Sequence, residues 1–155
     1  MPNALLLEAS IEINAPVREV WDLIADLSNM SRWSPMTRKM SVRGPVLPGT
    51  KVINYNRKAW RVWPTRAVLT VVEPNKKLAW FVKDNLSEWS YELEPAARGI
   101  TKVTERRTMG SRRSAVSAFL QTLLFGGAEL FDHALLEGMN VSLVRIEAAA
   151  EETMK

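Results

Sequence analysis

The stretch that decides the fold is SAVSAFLQTLLFGGAELFDHALLEGMNVSLVRIEAAA, residues 114–150. From residue 129 onward its polar residues recur at helical spacing and form one stripe, namely Glu129, His133, Glu137, Asn140, Glu147 and Glu151. Apolar and small residues fall on the opposite face, namely Phe131, Leu135, Gly138 and Ser142. The segment is therefore predicted to be one long helix, or two helices separated at Gly126-Gly127.

Short segments typical of β-strands dominate the chain before this helix. The first strand, Leu5–Ile13, alternates apolar and polar residues, as expected when one face is buried. Six more predicted strands follow Pro35: Met36–Arg43, Lys51–Arg57, Thr65–Glu73, Lys77–Lys83, Leu86–Glu94 and Ile100–Met109. Turns rich in Pro, Gly, Asn or Asp separate most of them, which indicates antiparallel hairpins.

Two short helices are predicted between the first and second strands. Apolar residues recur there at spacings of three and four, from Val17 to Leu27, so the first helix should end at residue 26 or 27. Asn14 is predicted to cap this helix, with Pro16 in its first turn. The second short helix is predicted from Ser28 to Trp33, before Ser34-Pro35 ends it.

This order of elements predicts how the chain packs. Seven antiparallel strands with one apolar face twist and need a cover, and the long helix is the one large apolar element left to provide it. The sequence therefore predicts an α+β fold in which a strongly curved sheet wraps around the C-terminal helix. The small helix residues Ala134, Gly138 and Ser142 predict that part of the space between sheet and helix stays open.

Composition narrows the class of protein. With 155 residues, of which 46% are hydrophobic and 25% charged, the chain is expected to form a single globular domain over residues 1–155. No apolar run approaches the roughly 20 residues that cross a bilayer, and Leu5-Leu6-Leu7 lacks a basic leader, so a cytoplasmic protein is expected. The absence of cysteine excludes disulfides and thiolate sites. With a single histidine, no metal is expected, and no cofactor is expected either.

A family resemblance appears in the opening segment ASIEINAPVREVWDLIADL, residues 9–27, followed by RWSP at residues 32–35. This segment resembles the opening of the START-like (birch-pollen-allergen-like) helix-grip superfamily, in its polyketide cyclase/dehydrase and lipid-transport branch. The element order matches across essentially the whole chain, and Leu78-Ala79-Trp80 is also similar. The resemblance implies a helix-grip fold with an internal apolar cavity. It covers hydrophobic-ligand carriers, aromatic cyclases and stress-response proteins, and so implies no single activity.

Large side chains on the inward faces are expected to line such a cavity. The predicted ligand-binding residues are Trp33, Tyr55, Trp80, Trp89, Tyr91, Phe119, Leu123, Phe131 and Leu135. Apolar walls with a few polar groups are typical of small-molecule sites. We therefore expect a hydrophobic ligand such as a lipid or a polyketide, and a protein that binds it without catalysis. The alternative is that these bulky rings fill a closed core.

The last predicted strand carries the candidate catalytic residues. Val103 indicates that odd positions face inward, which places Glu105 and Arg107 on the concave side. Tyr91, a polar residue of the predicted pocket, is the third candidate. A carboxylate in a partly dry pocket can accept a proton, and an arginine can stabilise an enolate, as a polyketide cyclase or dehydrase would require. The alternative is that both charges pair with each other or with water. His133 lies on the polar stripe and is expected to face solvent.

One end of the sheet is expected to be basic and aromatic. Consecutive hairpins alternate ends, so the turns at residues 58–64 and 84–85 and the junction at residues 109–114 fall together. The densest basic segments are Arg57–Arg66 (RKAWRVWPTR) and Arg106-Arg107 with Arg112-Arg113, in a chain of net charge +4. Such segments suit an anionic membrane surface, an anionic ligand or nucleic acid, of which the first two are favoured. A membrane- or protein-interaction module that uses this end is therefore a further possible function. The alternative is solvated charges around packed indoles. The sequence shows no clear oligomeric interface.

Overall fold

The predicted α+β helix-grip architecture is confirmed by the computed structural model, which describes residues 5–109 and 126–154. Its elements in chain order are β1 (Leu6–Ile13), α1 (Val17–Ala25), a 3-10 turn (Leu27–Asn29), α2 (Met30–Trp33), β2 (Thr37–Val42), β3 (Lys51–Lys58), β4 (Arg61–Glu73), β5 (Lys77–Val82), β6 (Ser87–Pro95), β7 (Thr101–Met109) and α3 (Ala128–Glu152).

The seven strands form one antiparallel sheet in the order β1-β7-β6-β5-β4-β3-β2. The first strand of the chain therefore pairs with the last, in a register that places Ala9 opposite Glu105. Because β1 and β2 are the two edges, the connection through α1 and α2 crosses from one side of the sheet to the other. These two helices thus close one side of the space enclosed by the curved sheet.

The long helix α3 buries one face against the sheet and the short helices. Its buried residues follow helical spacing and are Leu135, Met139, Ser142, Leu143, Ile146 and Ala150. The polar stripe is confirmed at His133, Glu137 and Asn140, which are exposed. Two apolar residues of the helix, Leu130 and Val141, are also exposed. Within residues 5–109 and 126–154, no helix is long and apolar enough to cross a membrane.

Two glycines set the start of α3. Gly126 and Gly127 have φ angles of +85° and +127°, outside the helical region, and the helix begins directly after them at Ala128. The described part of the predicted helical stretch therefore begins after Gly126-Gly127. The remainder of the predicted helical stretch, residues 114–125, lies outside the described residues.

The boundaries of β4 differ from the prediction. This strand begins at Arg61 rather than at Thr65, after a two-residue turn of Ala59 and Trp60. Pro64 was expected to lie in a turn because proline cannot donate to a ladder. In the structure Pro64 pairs only with β3, opposite Tyr55, and β5 joins β4 only from Ala67 onward. The proline therefore occupies an unpaired edge, where a missing N–H group is tolerated.

The predicted cap of α1 is wrong. Pro16 is the N-cap residue, and no side chain caps the helix. The backbone N–H of Asn14 instead donates to Oε2 of Glu151 over 2.9 Å. This bond joins the end of β1 to the last turn of α3, so Asn14 fixes the helix that the sheet surrounds.

Candidate functional site: a cavity between the sheet and the C-terminal helix

A cavity of about 190 Å³ lies between the inner face of the sheet and α3. Most of its wall is apolar and comes from Met30, Met36, Met40, Trp63, Pro64, Trp80, Val82, Trp89, Phe131, Leu135, Gly138 and Met139. The polar lining residues are Ser34, Thr37, Asn54, Asn56, Thr65, Asp84, Asn85, Glu105 and Ser142. Since an apolar protein cavity of about 150 Å³ holds a benzene molecule, this space can take a compact aromatic molecule.

Two small helix residues leave this space open. Gly138 has no side chain, and a Cβ atom placed there would lie 3.6 Å from Cγ of Pro35. Ser142 donates its hydroxyl to the carbonyl oxygen of Gly138 over 2.8 Å, so this polar group is satisfied within the helix. Gly138 and Ser142 both line the cavity, whereas Ala134, the third small residue in the prediction, does not.

Four of the predicted ligand-binding residues line the cavity: Trp80, Trp89, Phe131 and Leu135. Trp33 is buried with 2% of its surface exposed, but it packs in the hydrophobic core on α2 and does not line the cavity. Phe119 and Leu123 lie outside the described residues. The aromatic wall thus comes from β4, β5, β6 and α3.

Tyr55 departs from the expectation. Asn54 and Asn56 both line the cavity, and successive residues of a strand point to opposite faces. Tyr55 therefore lies on the outer face of β3, away from the cavity. The aromatic ring of Tyr55 suggested an inward position, but the inward face of this part of β3 is made of asparagines.

Burial strongly changes the pKa of Glu105. It lines the cavity with 4% of its surface exposed, and it lies directly opposite the fully buried Tyr91. Burial raises the pKa of Glu105 to about 8, although the Tyr91 hydroxyl favours the carboxylate. Burial, and secondly Glu105, raises the pKa of Tyr91 well above its usual value. At neutral pH Glu105 is therefore mostly a neutral acid that can donate a hydrogen bond.

The neighbouring polar atoms leave hydrogen-bonding capacity unused. Within the described part of the chain, Oε2 of Glu105, the Tyr91 hydroxyl and Oδ1 of Asn54 are buried without a hydrogen-bond partner. Tyr91 and Glu105 occupy directly opposite positions on β6 and β7. Glu105 and Asn54 line the cavity, whereas Tyr91, also predicted to bind ligand, does not. Because buried polar atoms are normally satisfied, Glu105 and Asn54 are the groups that the wall offers to a bound molecule.

Asn56 is fixed by its surroundings and was not selected from the sequence. Its amide nitrogen donates to the Thr65 hydroxyl over 3.0 Å and to the Trp63 carbonyl oxygen over 3.2 Å. These bonds hold β3 and β4 together where both line the cavity. The alternation of β3 outward from the buried Val52 is the sequence signal that would have identified Asn54 and Asn56.

Arg107 is held by a residue that the sequence did not single out. Its Nη2 lies 3.2 Å from Oδ1 of Asp132, and the two side chains are 3% and 13% exposed. Burial lowers the pKa of Arg107, while Asp132 acts in the opposite direction. Arg107 thus connects β7 to α3. His133, the next residue on the helix, faces solvent as predicted and lies 3.7 Å from Glu137.

The expected basic end is smaller than predicted. Arg107 is buried, and Arg106 lies on the outer face of β7, where it pairs with Glu8 and Glu92. These two arginines therefore do not form an exposed basic rim, and Arg112-Arg113 lie outside the described residues. The basic segment Arg57–Arg66 remains, with Trp60 82% exposed and Trp63 lining the cavity.

No metal centre is evident in the described parts of the chain. Residues 5–109 and 126–154 contain no group of three His, Cys, Asp or Glu side chains placed to hold a metal ion. The chemistry of the cavity therefore has to be argued from its own side chains.

A curved antiparallel sheet that grips a long helix around an apolar cavity defines a START-like helix-grip protein. Within that class, the chain belongs to the polyketide cyclase / dehydrase and lipid transport family, whose model matches residues 5–151. A search among curated proteins gave no match.

Solved structures share this fold over nearly the whole chain. The Zhui aromatase/cyclase from Streptomyces sp. R1128 has 13% identity and a TM-score of 0.77, covering 97% of this chain and 95% of its own. A polyketide-cyclase-like protein from Corynebacterium glutamicum has 28% identity and a TM-score of 0.65, covering 100% and 96%. A START superfamily protein from Mycobacterium smegmatis has 9% identity and a TM-score of 0.72, covering 96% and 98%.

Proposed function

We propose that this protein binds a compact, mostly apolar small molecule in the cavity between its sheet and α3. One observation carries the proposal: most of the cavity wall is apolar and includes four aromatic and four methionine side chains, beside nine polar residues. Sites of this composition bind small molecules, with the polar groups fixing their orientation. The family and the structural neighbours support either hydrophobic ligand binding or a cyclase/aromatase-type activity.

The size and polarity of the cavity limit the ligand. About 190 Å³ is below the roughly 300–1,000 Å³ typical of pockets for drug-sized ligands, which favours a compact ring over a long acyl chain. The Glu105 acid offers a donor, and Oδ1 of Asn54 offers an acceptor. A ligand with a hydroxyl group or with a carbonyl group would satisfy at least one of them. The ligand class proposed is therefore a small ring system with one or two oxygen substituents.

Binding is tested with 2-naphthol as the compact probe and dodecanoic acid as the acyl-chain probe. Trp80 and Trp89 line the cavity, so 2-naphthol is expected to change the tryptophan fluorescence and to release heat in a calorimetric titration. Absence of any calorimetric or fluorescence response to 2-naphthol would contradict the proposal. Stronger binding of dodecanoic acid would contradict the compact ligand class.

A matched pair of variants locates the binding site. Ser142→Leu fills the cavity from α3, whereas Val141→Leu changes the adjacent, exposed position on the same helix. The first variant should weaken 2-naphthol binding by at least about tenfold, which corresponds to about 1.4 kcal/mol, and the second should leave it unchanged. Equal affinities in the two variants would place the probe outside the cavity.

A second candidate function is proton-transfer catalysis of the cyclase/dehydrase type, with Glu105 as the acid or base. The observation that favours it is a buried carboxyl group whose pKa is about 8 in the wall of the cavity. General acid-base catalysis works best when the pKa lies near the operating pH. Tyr91, directly opposite Glu105 on β6, would position this carboxyl, whereas Arg107, two residues further along β7, is engaged by Asp132.

Deuterium exchange at the methyl group of 4-hydroxyacetophenone tests this second function. The protein should accelerate exchange in deuterated water, and the rate should rise as the pH passes through about 8, because the carboxylate is the base. Glu105→Gln should abolish the acceleration while retaining binding of the probe. An unchanged rate in Glu105→Gln would eliminate Glu105 as the catalytic group.

A further inference from the structure

The hairpin of β3 and β4 projects beyond the rest of the sheet. Strand β2 pairs with β3 only as far as Asn56, and β5 pairs with β4 only from Ala67 onward. We call residues 57–66 the arm. Its residues Arg57 and Lys58 pair with Val62 and Arg61, and its residues 63–66 pair with residues 53–56 of β3. At its base, the N–H of Arg57 donates to the Met36 carbonyl oxygen over 2.8 Å, and Arg66 forms a 3.0 Å ion pair with Asp84.

All charged side chains of the arm are positive. No Asp or Glu occurs from Lys51 to Val72, and the cations in that range are Lys51, Arg57, Lys58, Arg61 and Arg66. Arg57 and Lys58 are exposed, next to the turn. A cationic projection of this kind is complementary to a surface that carries negative charge.

The tip of the arm is apolar as well as basic. Trp60 occupies the two-residue turn and is 82% exposed, with the guanidinium carbon of Arg61 5.2 Å from its ring centre. Val62, two residues further on, is 45% exposed. Tryptophan beside cations is the combination enriched at the headgroup level of membranes, where an amphipathic ring has one apolar and one wet side.

We propose that the arm docks on the surface of an anionic lipid bilayer, with Trp60 and Val62 at headgroup level and the arm's cations against the lipid phosphates. Proteins that bind single-stranded nucleic acid stack successive bases on several aromatic rings. The arm exposes one indole, because Trp63 lines the cavity. This difference favours the membrane over nucleic acid as the partner.

Docking in this way brings the cavity to the bilayer. Trp63, Pro64 and Thr65 belong to the arm and also line the cavity, together with Asp84 and Asn85 from the neighbouring β5–β6 turn. The end of the cavity formed by these residues would then lie beside the lipid, where an apolar ligand concentrates. The docking itself does not depend on what the cavity binds.

Vesicle flotation tests the charge of the arm. The full chain should bind vesicles of phosphatidylcholine mixed with phosphatidylglycerol and should not bind phosphatidylcholine alone. Each cation near an anionic surface contributes about fivefold to partitioning, so Lys58→Ser with Arg61→Ser should weaken binding by about tenfold or more. The matched control, Lys76→Ser with Arg98→Ser, removes two exposed cations from turns at the opposite end and should change binding by less than about twofold.

Site-specific labelling tests the contact itself, since the chain has no cysteine. A polarity-sensitive dye on Val62→Cys should shift to a less polar environment when anionic vesicles are added, while the same dye on Leu47→Cys in the β2–β3 loop should not. Thermal melts of all variants establish that they are folded.

Three results would overturn the proposal. The first is equal binding to neutral and anionic vesicles. The second is an equal loss of vesicle binding in the arm variant and in the control variant. The third is unchanged emission of the dye at Val62→Cys while the protein is bound to vesicles. Binding of single-stranded oligothymidylate through the same arm cations, without binding of anionic vesicles, would assign the arm to nucleic acid instead. Since no cavity ligand is used, each of these failures leaves the proposed cavity function standing.

Discussion

Arg107 of β7 and Asp132 of α3 form an ion pair in which Nη2 and Oδ1 lie 3.2 Å apart, with side chains only 3% and 13% exposed. The pair joins the last strand to the helix that the sheet grips. Removing one partner from a buried pair leaves an uncompensated charge, which typically costs about 3–5 kcal/mol. Asp132→Asn should therefore lower the free energy of unfolding by about 3 kcal/mol in urea denaturation.

The control for this pair lies one residue further along the helix. His133 and Glu137 are 3.7 Å apart and both side chains are 72% exposed. Glu137→Gln should therefore change the free energy of unfolding by less than about 0.5 kcal/mol. Equal losses in the two variants would show that burial does not set the strength of the Arg107–Asp132 pair.

Glu105 should make stability fall as the pH rises. The pKa of its carboxyl is raised from 4.5 to about 8 in the folded protein, so the folded state holds this proton more tightly than the unfolded state. The contribution is complete below about pH 4.5 and is lost progressively up to about pH 8. Each pKa unit between the folded and the unfolded state corresponds to about 1.4 kcal/mol. The free energy of unfolding should therefore fall by a few kcal/mol in total across this pH range.

Urea denaturation at several pH values between 5 and 8 measures this effect, with Glu105→Gln as the neutral counterpart of similar shape. The variant should lack most of the decline and should equal or exceed the original protein in stability at the alkaline end. Parallel pH profiles for the two proteins would mean that Glu105 ionises normally in the folded state.

Replacing Gly138, within α3, and Gly126, just before α3, by alanine should change the stability of the protein in opposite directions. At Gly138 a Cβ atom would make an ordinary 3.6 Å contact with Pro35, and alanine is favoured over glycine within a helix by about 1 kcal/mol. At Gly126 the φ angle is +85° and a Cβ atom would lie 3.1 Å from Cδ1 of Leu130. Thermal melts should therefore show Gly138→Ala stabilised and Gly126→Ala destabilised; the same sign for both would contradict the backbone assigned to this region.

The turn of the arm holds a strained residue. Ala59 has a φ angle of +55°, in the left-handed region that glycine adopts without cost. Ala59→Gly should raise the free energy of unfolding by about 0.5–1 kcal/mol. Asn75, with a φ angle of +65° in the β4–β5 turn, is the comparison, because asparagine tolerates this region and Asn75→Gly should gain less. A loss of stability in Ala59→Gly would contradict the turn geometry.

Local periodicity was sufficient to predict the architecture. The alternation in Leu5–Ile13 and Leu86–Glu94 predicted β1 and β6 to within one residue at each end. Val103 indicated the inward phase of β7, and Glu105 is indeed buried in the cavity wall. These predictions succeeded for the same reason. When one face of a strand is buried, apolar and polar residues alternate along that strand, so the pattern can be recognised without knowing its partners.

The errors concern relations between elements. Asp132 reaches Arg107 across 25 residues of sequence, and no period within one helix identifies that partner. Pro64 reads as a turn residue until the unequal lengths of β3, β4 and β5 show that it occupies an unpaired edge. Tyr55 is predicted to face inward, but the buried Val52, three residues earlier on β3, sets the opposite phase.

The methionines of the cavity were also missed, for a different reason. Met30, Met36 and Met40 come from α2, a loop and β2, and Met139 comes from α3. Their convergence depends on how the short helices close the sheet, which their spacing does not encode. Flexible methionine side chains adapt to ligands of different shape, so their position in the wall agrees with a binding role.

These methionines also provide the most direct test of ligand binding in the cavity. In a spectrum of ¹³C-methyl-labelled methionine, 2-naphthol should shift the signals of Met30, Met36, Met40 and Met139, which line the cavity. The signal of Met154, which is 53% exposed near the chain end, should stay in place. Unchanged cavity signals at saturating 2-naphthol, or equal shifts at Met154 and the cavity methionines, would contradict the account.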